Sequence, residues 1–211
     1  MQIERADLTP GAHEGFAIAR VCVFAGSSSG ARREFREAAR ALGGALARRR
    51  IDVVFGGGQV GLMGVLADAV LAAKGHVTGV IPEALVAREI AHGGLSDLRV
   101  VPSMHERKAL MADLADAFVA LPGGWGTLEE FFEVLTWAQL GLHRKPCLLL
   151  NVAGYFDGLL SFLDHAIDQQ FVRRENGALV LVADSIDAVF DQLDRYRPPT
   201  GVEKWLDRAS T

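Results

Sequence analysis

The sequence predicts an α/β fold: a Rossmann-like, doubly wound parallel sheet of about seven strands with helices on both faces. Three observations predict it. Short apolar runs alternate with longer stretches of helical period. The short runs are continuously apolar, as strands covered on both faces are. Glycine clusters follow the first, second and fifth runs, so all three fall on one sheet edge. That is the carboxyl edge, where such sheets bind ligands at a switch point.

Residues 1 to 18 carry Pro10 and Gly11 without a clear period and read as an N-terminal arm. The domain proper runs from 19 to 196. Val21 to Ala25 is the first strand, ending in GSSSG (Gly26 to Gly30). Ala31 to Arg50 is a helix with Phe35, Ala38, Ala39, Leu42, Ala45 and Leu46 on one stripe. Ile51 to Phe55 is the second strand, ending in GGGQVGLMG (Gly56 to Gly64), and a helix of small residues follows to about Lys74. His76 to Ile81 is the third strand, closed by Pro82. Residues 83 to 96 are irregular or short helix.

Leu98 to Val101, Ala117 to Leu121, Pro146 to Asn151 and Ala178 to Ala183 are the remaining strands. Between them fall helices at Met104 to Leu114, at roughly Thr127 to Leu142 and at Tyr155 to Gln170. A last helix spans Ser185 to Tyr196, and a tail from 197 to 211 opens on Pro198 and Pro199.

The net charge of −4 and the lack of a long basic run exclude a nucleic-acid surface. Arg48, Arg49 and Arg50 end a helix, where cations suit the dipole. Cys22 and Cys147 fall in buried strands and read as small apolar residues of a reducing compartment. The N-terminus lacks the apolar core of a signal peptide, and no apolar run reaches membrane-spanning length. The expected location is cytoplasmic. His105 and His143 lack metal-ligand spacing, so no metal is expected.

The stretch PGGWGTLEE (Pro122 to Glu130) turns from a buried strand into a helix. Its glycines allow close backbone approach, and the first helical N–H groups attract anions, which together make a phosphate site. It lacks a P-loop lysine, so further positive charge must come from elsewhere. MHERK (Met104 to Lys108) opens a helix with Arg107 on the inward stripe, where a solvated cation fits poorly; Lys108 is adjacent.

Several of these features have two readings. Gly56, Gly58 and Gly61 match GxGxxG, with Glu83 after the next strand, which points to a nicotinamide site or simply to tight turns. GSSSG is a nucleotide contact or a helix cap. Thr127 and Glu130 form T-x-x-E, a capping box. Alternatively the Glu130 carboxylate faces a sugar, where positive charge develops as a glycosidic bond breaks. Trp125 lines a pocket or covers a partner surface.

At PGGWGTLEE, GGGQVGLMG, MHERKALMADLADAFVALPGG and EVLTWAQLGLHRKP the chain resembles the LOG (Lonely Guy) family of cytokinin-activating phosphoribohydrolases, over about residues 20 to 183. The resemblance implies a Rossmann-like homodimer that hydrolyses the N-glycosidic bond of N6-substituted adenosine 5′-monophosphates, with no cofactor. It implies Arg107 and Glu130 as the catalytic pair. Glu89, Lys108, Thr136 and the loop of Gly123, Gly124, Trp125, Gly126, Thr127, Leu128 and Glu129 would contact substrate. Gly26 and Ser27 of the first glycine cluster, and Gly57 and Gly58 of the second, are further candidate contacts. A non-catalytic nucleotide carrier or sensor on the same fold is the alternative, and a nicotinamide-dependent oxidoreductase a further one.

Overall fold

The computed structural model describes residues 18–86 and 91–198. The expected arm and tail lie almost wholly outside these residues, and Glu89 lies outside them too. The strands are β1 (Arg20–Phe24), β2 (Asp52–Phe55), β3 (Val77–Pro82), β4 (Asp97–Val101), β5 (Ala117–Ala120), β6 (Cys147–Leu150) and β7 (Val180–Ala183). They form one sheet in the order β4-β3-β2-β1-β5-β6-β7, parallel throughout. The chain winds outward from β1 to β4, returns to the other side of β1, and winds outward again to β7. The direction reverses between β1 and β5, which pair from Val21 with Ala117 to Phe24 with Ala120. A crevice opens beyond the carboxyl ends of two such strands, because their connections leave in opposite directions.

The helices are α1 (Arg33–Arg48), α2 (Gly61–Ala72), α3 (Glu83–Val86), α4 (Met104–Leu114), α5 (Trp125–Gln139), α6 (Asp157–Asp168), α7 (Arg174–Gly177) and α8 (Ile186–Arg195). Side chains alternate across each strand, so the core has two layers. Val21 and Val23 pack with Phe35 and Leu42 of α1, Leu62 and Leu66 of α2, and Val189 of α8. Cys22, Phe24 and Phe118 pack on the opposite face with Met111 of α4 and Phe131 of α5. Burial pushes the Cys147 thiol up to about 12 and the Cys22 thiol well above its usual value, with the Glu130 charge adding to the shift at Cys22. Both cysteines are free and behave as apolar core residues. Helices α1 and α2 approach closely because Gly43 has no side chain; a Cβ there would lie 2.6 Å from the Leu66 carbonyl oxygen.

Two of the boundaries that differ from expectation bear on the carboxyl edge. Helix α5 starts at Trp125, with Gly124 as N-cap and no side-chain capping bond. Its first helical bond runs from the Leu128 N–H to the Gly124 carbonyl at 3.1 Å. Thr127 and Glu130 are therefore inside the helix, and T-x-x-E is not a capping box. The structure does use that device at α4: the Ser103 hydroxyl accepts from the Glu106 N–H and donates to Glu106 Oε1, both at 3.2 Å.

The second difference is at α6, which starts at Asp157 instead of Tyr155. A 3-10 turn, Val152–Gly154, intervenes, with Ala153 and Gly154 both at positive φ (51° and 71°). Asn151 fixes this corner: its side chain accepts from the Phe156 N–H and donates to Asp157 Oδ1, each at 2.7 Å.

Candidate active site

The three glycine clusters meet at the switch point and are joined by backbone bonds. The Gly26 N–H donates to the Pro122 carbonyl at 3.1 Å, and the Leu62 N–H donates to the Gly26 carbonyl at 2.9 Å. Gly61, at φ 65°, lies so close to the Ser27 backbone that no Cβ could fit there. The second N–H of α2 is thus spent inside the protein, and Gly61 serves loop packing. The GxGxxG match reflects this close approach of two backbones.

A cavity of about 250 Å³ opens between the loops after β1 and β5. Gly26, Ser27, Ser28, Gly123 and Gly124 line it, with Phe35 and Tyr155. Among the described residues, no group accepts a hydrogen bond from the N–H of Gly124, Trp125, Gly126 or Thr127. These four donors converge at the positive end of the α5 dipole, which favours a phosphate dianion. Gly123 must lack a side chain, because a Cβ would overlap the Thr127 hydroxyl.

Beside this turn lies an ion pair. Arg107 projects inward from the first turn of α4 and is 6% exposed. Its Nη2 lies 3.4 Å from Glu130 Oε1, and the Glu130 side chain is 12% exposed. The guanidinium crosses the end of β2 where Gly56 leaves room: a Cβ on Gly56 would overlap Arg107 Nη2. An arginine held this way presents a planar donor fork.

Lys108 is arranged differently. Its ammonium bridges Glu129 Oε1 at 2.5 Å and Glu133 Oε1 at 3.0 Å, tying α4 to α5. Burial lowers the Lys108 pKa, but the hydrogen bonds to these two carboxylates outweigh it and the net shift is upward. His143 is not a proton donor for the site. Burial pulls it down to about 4, and its ring is engaged by the Val134 carbonyl and the Lys145 N–H.

The remaining expected residues divide. Trp125, at the lip of the turn, is 90% exposed, and Leu128 packs into the core beneath it. Gly57 and Gly58 lie outside the cavity: the Gly57 carbonyl accepts from the His92 N–H, and Gly58 bridges Ala91. Thr136 does not join Arg107 and Glu130. Six residues beyond Glu130, it is about 240° further round the helix, in a groove with Leu135, Leu160 and Leu163. Tyr155, which local pattern did not single out, lines the cavity, and Gly56, singled out only as part of GxGxxG, makes room for Arg107. Tyr155 reaches the cavity because β6 neighbours β5, and strand order leaves no local mark in a sequence.

The family model described as "Possible lysine decarboxylase" matches residues 63–193. The chain is 51% identical over 179 residues to cytokinin riboside 5'-monophosphate phosphoribohydrolase LOG7 of Arabidopsis thaliana, covering 85% of this chain and 82% of that protein. It is 50% identical over 193 residues to the rice protein named "Probable cytokinin riboside 5'-monophosphate phosphoribohydrolase LOGL9" (Oryza sativa subsp. japonica), covering 92% and 85%. Among solved structures, the molybdenum cofactor binding protein of Rippkaea orientalis superposes with a TM-score of 0.63 at 22% identity, covering 82% of this chain and 94% of that one. At that identity the likeness is one of fold. The glycine turn, the buried arginine–glutamate pair and these sequence relatives agree: the chain belongs to the LOG family of cytokinin riboside 5'-monophosphate phosphoribohydrolases.

Proposed function

We propose that the protein hydrolyses the N-glycosidic bond of N6-substituted adenosine 5′-monophosphates, releasing the free base, a cytokinin, and ribose 5-phosphate. The observation that carries this is the Arg107–Glu130 pair beside a four-donor helix N-terminus, in a chain half identical to named phosphoribohydrolases. The turn from Gly124 to Thr127 binds the 5′-phosphate. Arg107 holds ribose hydroxyls or phosphate through paired hydrogen bonds. Glu130 stabilises the positive charge that builds on the sugar as the bond breaks, and orients the attacking water. The C1′–N9 electron pair leaves with the base, the water oxygen bonds C1′, and a water proton passes to the departing purine. Lys108 borders the site and, with Glu129 and Glu133, fixes the angle of α4 to α5.

The proposed setting is the cytoplasm; no helix among the described residues is long and apolar enough to cross a membrane. The proposed state is a homodimer. Supporting it, Phe132 and Leu135 of α5 and Leu160 and Leu163 of α6 line an apolar groove of about 500 Å³. Thr136 stands in that groove, so a role in substrate binding places it across the dimer from the Glu130 it serves.

Incubation with N6-isopentenyladenosine 5′-monophosphate, followed by chromatography, tests the reading. Free base and ribose 5-phosphate in equal amounts are expected. Retention of intact nucleotide at high affinity would instead favour a carrier.

A further inference from the structure

We propose that Tyr155 is a positioning residue of the phosphate turn, acting by fixing the Gly123–Gly124 peptide. This rests on the reading of that turn as the phosphate site. The Tyr155 hydroxyl donates to the Gly123 carbonyl at 2.5 Å. Its ring is held edge-on by Phe35 (5.5 Å between centroids, 79°) and by Phe156 (4.9 Å, 81°). The backbone beneath it is pinned by the Asn151 bonds to Phe156 and Asp157. Arg32 adds a bond from the α1 side to the Ala153 carbonyl at 3.3 Å. The tyrosine is therefore a rigid post between β6 and the glycine turn.

In a trans peptide the C=O and the following N–H point to opposite edges of one plane. Holding the Gly123 carbonyl toward Tyr155 thus fixes the Gly124 N–H on the other edge, as the first donor of the turn. Glycines on both sides of that plane would otherwise let it rotate cheaply. A rotated peptide would turn a carbonyl oxygen toward the anion in place of an N–H, replacing attraction by repulsion. The hydroxyl selects the donor orientation before substrate arrives, which is the preorganisation that makes such donors effective.

Tyr155→Phe removes only the hydroxyl and leaves the ring against Phe35 and Phe156. Kinetics with N6-isopentenyladenosine 5′-monophosphate should show KM raised about tenfold with a smaller change in kcat. The inhibition constant of ribose 5-phosphate should rise by a similar factor, while that of the free base stays put. A merely structural tyrosine would weaken both inhibitors together. A wild-type protein that ribose 5-phosphate does not inhibit removes the phosphate reading and the role of Tyr155 with it. Wild-type inhibition with unchanged constants in Tyr155→Phe overturns the role of Tyr155 alone.

Discussion

Arg107 Nη2 and Glu130 Oε1 lie 3.4 Å apart, joining the first turn of α4 to the second turn of α5 across the carboxyl end of the sheet. Both side chains are largely shielded from water, so each carries part of the other's desolvation cost.

Glu130→Gln tests that coupling. Because α5 begins at Trp125, the substitution touches no cap. It removes the negative charge 3.4 Å from Arg107 Nη2. We expect kcat to fall about 10²-fold or more, with a lower melting temperature as well. The double variant Arg107→Gln/Glu130→Gln should recover part of the melting temperature and none of the activity. A Glu130→Gln enzyme with wild-type turnover would exclude the carboxylate from catalysis.

Arg107→Lys keeps a positive charge and loses the planar fork. The kcat/KM for the monophosphate should fall about tenfold or more, since a point charge cannot make paired bonds. Steady-state kinetics at two salt concentrations would check it, with full activity showing that charge alone suffices.

Gly56→Ala should reproduce an arginine defect without touching the arginine. The added methyl takes the space of Arg107 Nη2. We expect a loss of kcat/KM comparable to Arg107→Lys, with a stability cost of about 1–3 kcal/mol from overpacking. Kinetics and a denaturant titration on the same preparation separate the two effects.

Thr127→Ala removes a hydroxyl from the third helical position instead of from an N-cap. The loss of about 1 kcal/mol expected of a missing cap should not appear, whereas KM for the monophosphate should rise. A thermal melt beside the kinetic assay decides it.

His143 sets a pH dependence of stability. Its folded pKa is near 4, below its ordinary value, because burial disfavours the charged ring. The unfolded chain therefore binds the proton first. Stability from the neutral ring is complete above about pH 6.5 and is lost as pH falls toward 4, by on the order of 3 kcal/mol at most. His143→Asn should flatten urea-unfolding stability across that window; an unchanged slope would assign it to other groups.

Much of this was legible in the sequence, and the reasons are physical. Strands buried on both faces have nothing polar to alternate, so β1, β2, β5 and β6 announce themselves. Arg107 is legible because a cation at a helix start opposes the dipole unless something inside needs it. The start of α5 is not, because Gly124 caps without a side chain. The T-x-x-E of Thr127 and Glu130 imitates the signal that Ser103 and Glu106 carry in earnest. The pairings of Arg107 with Glu130, Lys108 with Glu129, and Tyr155 with Gly123 depend on which strands are neighbours, and no local pattern encodes that.

Gly43 stands far along α1 from the glycine turns, yet it sits in the seam of the two helices that follow two of them. At Gly43 the seam between α1 and α2 has no room for a methyl group. Those two helices carry the loops after β1 and β2 at their leading ends. A wedge at Gly43 would spread both loops, pulling Gly61 off Ser27 and stretching the bond from Leu62 to Gly26. Damage at the back of the molecule would then surface as slackened grip on a nucleotide, with every residue at the front still intact.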